Sequence, residues 1–130
     1  MKRLLCWISI LGMLMMVVPF LAHGDWMAPA SAKKVKNPIK PTEASIQKGK
    51  GIYEQKCAAC HGATGEGNGP AGAALTPKPA NLRESLAEKM TDGDFFWMIS
   101  TGRGPMPSFA KQLTKKERWE VINYIRIFEK

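Results

Sequence analysis

The sequence predicts an all-α domain of about four helices over residues 42–130, and three observations carry that expectation. Apolar residues recur at spacings of three and four, capping residues stand ahead of these windows, and no stretch alternates with period two. Of 130 residues 45% are apolar. With roughly the first thirty set aside as argued below, the remainder has room for one small domain.

Thr42 is placed to cap a first helix whose apolar or small positions are Ile46, Gly49, Tyr53 and Cys57. Gly49 costs about 1 kcal/mol against Ala in such a helix, so its presence points to a close backbone crossing. Residues 62–81 read as loop, because Gly62, Gly65, Gly67, Gly69 and Gly72 with Pro70, Pro77 and Pro79 interrupt any period. Leu82, Leu86 and Met90 allow a short helix. Thr91-Asp92-Gly93-Asp94 caps the next, which runs through Phe95, Phe96, Trp97, Met98 and Ile99 to Gly102, expected as its left-handed terminator. Apolar nearly all round, that helix is expected to be buried. Thr114-x-x-Glu117 is a capping box for the last helix, whose face Val121, Tyr124, Ile125 and Phe128 follows i, i+3, i+4, i+7. Two long loops leave a thin core, and domains this small often need a staple.

Ahead of the domain, Lys2-Arg3 followed by the apolar run Leu4 to Leu21 reads as an export signal, assigned to residues 1–24. Small-residue cleavage patterns occur at Ala22-His23-Gly24 and, as late as residue 32, at Ala30-Ser31-Ala32. The alternative is an uncleaved membrane anchor, since the run is near the lower length for a span. Cys6 falls inside it as an apolar filler. Residues 25–41, with Pro29, Pro38, Pro41 and four lysines, show no period and read as a flexible basic linker. A periplasmic or otherwise exported location follows, with membrane attachment if the anchor persists.

The net charge of +8 would ordinarily raise nucleic acid as a partner, but its distribution argues against it. Residues 1–3 carry +2 and residues 25–41 carry +3, leaving only +3 for the domain. Two histidines exclude a three-His zinc site and bis-His multihaem ligation. The length excludes a dinucleotide-binding domain paired with a substrate domain.

The staple is Cys57-Ala58-Ala59-Cys60-His61, the C-x-x-C-H signature of c-type haem attachment. Two thiols at this spacing can each add to one vinyl group of adjacent pyrroles, and the next residue sets an imidazole beneath the iron. A thioredoxin-type redox pair would sit beside a βαβ pattern, and a zinc site would need four ligands; neither is available. With His61 as proximal ligand, a methionine is the natural distal one. Met106, between Pro105 and Pro107 and after Gly102 and Gly104, lies in a loop suited to presenting its thioether inward. Met98 and Met90 read instead as helix packing. Arg103 is a candidate propionate partner or a solvated charge, and Phe96 and Trp97 pack on a porphyrin or on each other.

On these residues the chain resembles a monohaem bacterial cytochrome c domain of the His/Met-ligated, class I type. The likeness spans residues 45–128. It rests on Gly49-x-x-x-Tyr53-x-x-x-Cys57, Cys57-Ala58-Ala59-Cys60-His61-Gly62, Gly65-Glu66-Gly67-Asn68-Gly69, Pro79-Ala80-Asn81-Leu82, Met106-Pro107-Ser108-Phe109 and Val121-x-x-Tyr124-Ile125. The resemblance implies helices wrapped around one covalently bound haem c, with Gly49 and Tyr53 crossing Val121 and Tyr124. It also implies a loop proline, Pro79 or Pro77, whose carbonyl accepts the His61 N–H. Two axial ligands leave no open iron position, so the expected function is one-electron transfer rather than catalysis. The chain would serve as a soluble carrier or as the electron-transfer subunit of an oxidoreductase or respiratory complex, with redox proteins as partners. The alternative is a five-coordinate haem protein that binds a gas or acts as a small peroxidase-like enzyme.

Overall fold

A computed structural model describes residues 26–129; residues 1–24, read above as an export signal, with Cys6 and His23, lie outside them. In chain order the helices are α1 (Glu43–Lys56), α2 (Ala58–His61), α3 (Leu82–Ala87), α4 (Asp92–Thr101) and α5 (Lys115–Ile125). No strand occurs among the described residues, so the domain is all-α as expected. The helix beyond the expected four is α2, a single turn that carries the cysteine motif.

Local chemistry explains where the helices begin. The Thr42 side chain accepts from the Ser45 N–H, and Thr91 with Asp94 and Thr114 with Glu117 form complete capping boxes. The Asn81 side chain caps α3 by accepting from the N–H groups of Arg83 and Glu84, a cap not anticipated from the sequence. Such caps contribute about 1 kcal/mol each by satisfying donors that the helix itself leaves open. Gly102 ends α4 at φ 63°, ψ 166°. That is not the left-handed helical turn expected of it, but a region open essentially to glycine alone.

Helices α1 and α5 cross with their backbones in contact. A Cβ on Gly49 would lie 2.0 Å from the Glu120 carbonyl oxygen and 3.0 Å from the Tyr124 Cβ. Above the crossing, Tyr53 packs on Tyr124 and on Phe128, each at a ring separation of 5.3 Å. The core gathers Tyr53, Leu82, Leu86, Phe95, Ile99, Phe109, Leu113, Trp119, Val121, Ile122, Tyr124, Ile125 and Phe128. Every residue of α5 from Trp119 to Ile125 is buried, well beyond the single face that the periodicity marks.

The wider burial arises because α5 is covered on further sides, and one cover is the segment expected to be a flexible linker. Residues 26–41 instead lie against the domain. Ala28 and Ala32 are buried, and the Ala32 carbonyl oxygen would be 1.9 Å from a Cβ on Gly93, so α4 receives this strap at a glycine. Asn37 donates from Nδ2 to Asn123 Oδ1 at 2.8 Å and to the Trp119 carbonyl at 3.2 Å. Asn123, itself 4% exposed, donates in turn to the carbonyls of Ile39 and Lys40 and to Ser45 Oγ. A buried amide left open would cost about 1–3 kcal/mol, and here the strap satisfies it.

Helix α4 divides its apolar side chains between the core and the domain's periphery. Phe95 and Ile99 are in the core, while Phe96, Trp97 and Met98 are only half-buried. Phe96 and Trp97 do not pack on each other: Phe96 stacks on Trp119 at 3.9 Å and 15° with the Arg118 guanidinium over its ring, and Trp97 tilts against Trp26 at 6.3 Å.

Candidate functional site

Cys57 closes α1 and opens α2, its N–H donating back to the Tyr53 carbonyl. The single turn that follows places Cys60 and His61 on the next step of the chain, and Gly62 ends it. Cys57, Cys60 and His61 are all half-buried, and both thiols are free. Burial, reinforced by the neighbouring Cys60, pushes the Cys57 thiol up to about 12.

The His61 ring is oriented from behind. Its Nδ1 lies 2.9 Å from the carbonyl oxygen of Ala80, which can only accept, so Nδ1 carries the proton and the Nε2 lone pair is left free. The acceptor is thus neither Pro79 nor Pro77 but the residue after Pro79. Burial lowers the His61 pKa, and the hydrogen bond to Ala80 opposes that shift in part. The net effect favours a neutral imidazole, the form in which it can act as a ligand.

The loop between α2 and α3 reaches Ala80 through main-chain bonds. Gly67 N–H donates to the His61 carbonyl at 2.8 Å, Gly69 N–H to the Cys60 carbonyl at 3.1 Å, and Leu82 N–H to the Gly65 carbonyl at 2.7 Å. The buried Tyr53 hydroxyl donates to the Gly62 carbonyl at 2.7 Å. The helix crossing and the cysteine turn are therefore tied together by one side chain.

Met106 sits half-buried in a turn that closes on itself, where Arg103 and Met106 exchange main-chain hydrogen bonds of 3.0 and 2.9 Å. The turn is anchored to the end of α4. Phe109 N–H donates to the Ile99 carbonyl at 3.0 Å, Ser108 Oγ to the Ser100 carbonyl at 2.6 Å, and the Phe109 ring is buried in the core. Cys57 and Met106 both rest against that same core. Arg103 is exposed in this turn.

The donor set fits a covalently held haem. It offers two free thiols at the two-residue spacing, an imidazole with Nε2 unused, and a thioether on a separately anchored turn. A bare metal ion is a poorer fit, since no group of three or more His, Cys, Asp or Glu among the described residues is placed to hold one. Sequence reasoning named these residues but not Ala80 and Asn81. Asn81, followed three residues later by Glu84, carries a cap signature that could have been read; a main-chain acceptor such as Ala80 has none.

Comparison with known proteins supports a c-type cytochrome domain. Residues 44–125 match the sequence model of the family described as Cytochrome C oxidase, cbb3-type, subunit III. Among solved structures, a chain of the Kuenenia stuttgartiensis reducing HAO-like protein complex Kustc0457/Kustc0458 is similar at 34% identity and a TM-score of 0.61. The likeness covers 72% of this chain and 47% of that one, so this chain spans about half the length of that neighbour. None of the curated proteins matches. With its family model matched across the helical domain and its cysteine pair set as that family requires, the chain belongs to the cbb3-type subunit III family of c-type cytochrome domains and carries one covalently bound haem c.

Proposed function

We propose that the protein is an exported one-electron carrier, or the electron-transfer subunit of a larger oxidoreductase, with His61 and Met106 as the two axial ligands. Cys57 and Cys60 would hold the haem by thioether bonds, and the iron would supply the one-electron chemistry. The observation that carries this reading is the His61–Ala80 hydrogen bond. It fixes the tautomer and the ring direction, leaves Nε2 as the only ligating nitrogen, and raises its basicity.

The protein's own part is to hold geometry rather than to move atoms. Tyr53 ties the cysteine turn to the α1–α5 crossing, and Phe109 and Ser108 pin the Met106 turn to α4. A soft thioether favours the ferrous state and raises the potential. The family match supports electron transfer, and the similar Kuenenia chain belongs to a complex described as reducing, which supports protein redox partners.

The test is spectroscopic. Ferric protein is expected to show the weak near-red sulfur-to-iron band and ferrous protein to resist carbon monoxide at neutral pH. Met106→Ala should abolish the band and admit the gas. Ready, stoichiometric uptake of carbon monoxide by unmutated ferrous protein would overturn the assignment of Met106 and favour a ligand-binding haem protein.

A further inference from the structure

We infer that the N-terminal strap, residues 26–40, presents a docking face for an anionic lipid bilayer. The inward side of the strap is occupied by the domain, through buried Ala28 and Ala32 and through the Asn37 amide, which donates to Trp119 and Asn123 of α5. Its exposed side chains include Lys33, Lys34, Lys36 and Lys40. None of these four forms an ion pair with a described residue.

Apolar side chains stand among the lysines. Three large hydrophobic residues are exposed among those described, and two of them, Met27 at 63% and Val35 at 46%, are on this strap. Lys33, Val35 and Lys36 line one groove of about 590 Å³ together with Lys89 and Met90. Arg126 engages both of the groove's carboxylates, Asp92 at 2.7 Å and Glu129 at 3.8 Å, and with Lys33, Lys36 and Lys89 the four cations against two anions leave the groove at +2.

A basic face studded with exposed apolar groups suits a lipid interface. Lysines draw it to phosphate headgroups, and side chains such as Val35 and Met27 enter the boundary below them. Charge alone would also draw an acidic polymer such as polyglutamate, which has no apolar layer to take up Val35 and Met27. Only four residues separate the strap from the apolar run Leu4–Leu21, so it is the part of the domain nearest to any bilayer that run enters. No helix among the described residues is long and apolar enough to cross a membrane. The contact therefore lies on the surface of the bilayer.

The experiment is sedimentation of the exported holoprotein with vesicles of phosphatidylcholine alone and of phosphatidylcholine mixed with phosphatidylglycerol. Binding is expected to need phosphatidylglycerol, to fall as salt is raised, and to weaken roughly fivefold for each of Lys33→Ala and Lys36→Ala. Val35→Ser should weaken it further with the haem spectrum and thermal stability unchanged. Equal binding to both vesicle types by a protein shown by mass to lack the apolar run, or indifference to the lysine variants, would overturn the inference. So would lysine-dependent binding to polyglutamate with none to vesicles, which would assign the face to an acidic protein instead. For protein that retains the apolar run, hydrogen exchange over residues 27–36 on nanodiscs replaces sedimentation: protection that requires phosphatidylglycerol supports the inference, and equal exchange with and without it overturns it.

Discussion

Tyr53 and Gly62 are joined by a buried hydrogen bond of 2.7 Å from the phenol to the carbonyl oxygen. The bond connects the helix crossing to the residue directly after His61. Tyr53→Phe removes the donor but not the ring, so packing against Tyr124 and Phe128 is kept. The Gly62 oxygen retains a second, longer contact from the Gly65 N–H at 3.3 Å and is not fully orphaned. The expected loss is therefore about 1 kcal/mol, near the net worth of a single hydrogen bond rather than that of an unsatisfied buried carbonyl. Denaturant titration of the holoprotein measures it, and an unchanged midpoint would mean that the phenol does not stabilise the turn.

Two glycines on one helix predict opposite signs. At Gly49 a Cβ would meet main-chain atoms of Glu120, which no rotamer change can move aside, whereas at Gly51 it would meet nothing within 4 Å. Gly49→Ala is expected to destabilise by about 1–3 kcal/mol through forced separation of the helices. Gly51→Ala should stabilise by about 0.5–1 kcal/mol through backbone entropy alone. Thermal melts of the two variants side by side check the pair, and equal shifts would refute the crossing.

The strap predicts coupling across the sequence. Asn37→Ala leaves Asn123 Oδ1 and the Trp119 carbonyl without their shared donor, and should cost about 1–2 kcal/mol. A double-mutant cycle with Asn123→Ala should return a coupling of at least about 0.5 kcal/mol, since the two amides touch. A neutral Asn37→Ala would mean that the segment behaves in solution as the flexible linker its composition suggests.

Acid sensitivity is expected at Glu117. Hydrogen bonds from Thr114, the main-chain N–H first, hold its carboxyl below the usual 4.5. A depressed folded-state value stabilises fully above the unfolded value and is lost as pH falls through the folded one. Glu117→Gln should therefore melt lower than the wild type at neutral pH, with the gap closing below about pH 4.5 as the carboxylate is protonated. A gap that stayed constant with pH would show that the charge plays no part in the capping box.

Much of this architecture could be read from local chemistry. Thr42, Thr91 with Asp94, and Thr114 with Glu117 are legible because a capping side chain bonds to main chain only a few residues away. Gly49 is legible because a glycine in an apolar helical stripe needs a reason. The strap was not, since Asn37 and Asn123 stand 86 residues apart and a pair of amides leaves no period. The acceptor for His61 was not either: every residue has a carbonyl, so nothing in the side chains separates Ala80 from its proline neighbours. The periodicity of α5 understated its burial, because apolarity marks a face that wants cover without naming what covers it.

The main-chain bonding of residues 62–81 has an evolutionary consequence. The contacts that carry the loop from the cysteine turn to the His61 acceptor are made by peptide groups at His61, Cys60, Gly65, Gly67, Gly69 and Ala80. Most of the intervening side chains, among them Thr64, Glu66, Ala71, Ala74, Thr76 and Lys78, are exposed and contribute nothing to those bonds. Selection can rewrite these exposed positions, and with them the charge and shape offered to a partner, while the imidazole stays where the backbone holds it. Surface chemistry and imidazole geometry are thus separately heritable within one loop, so its exposed charge can change without moving His61.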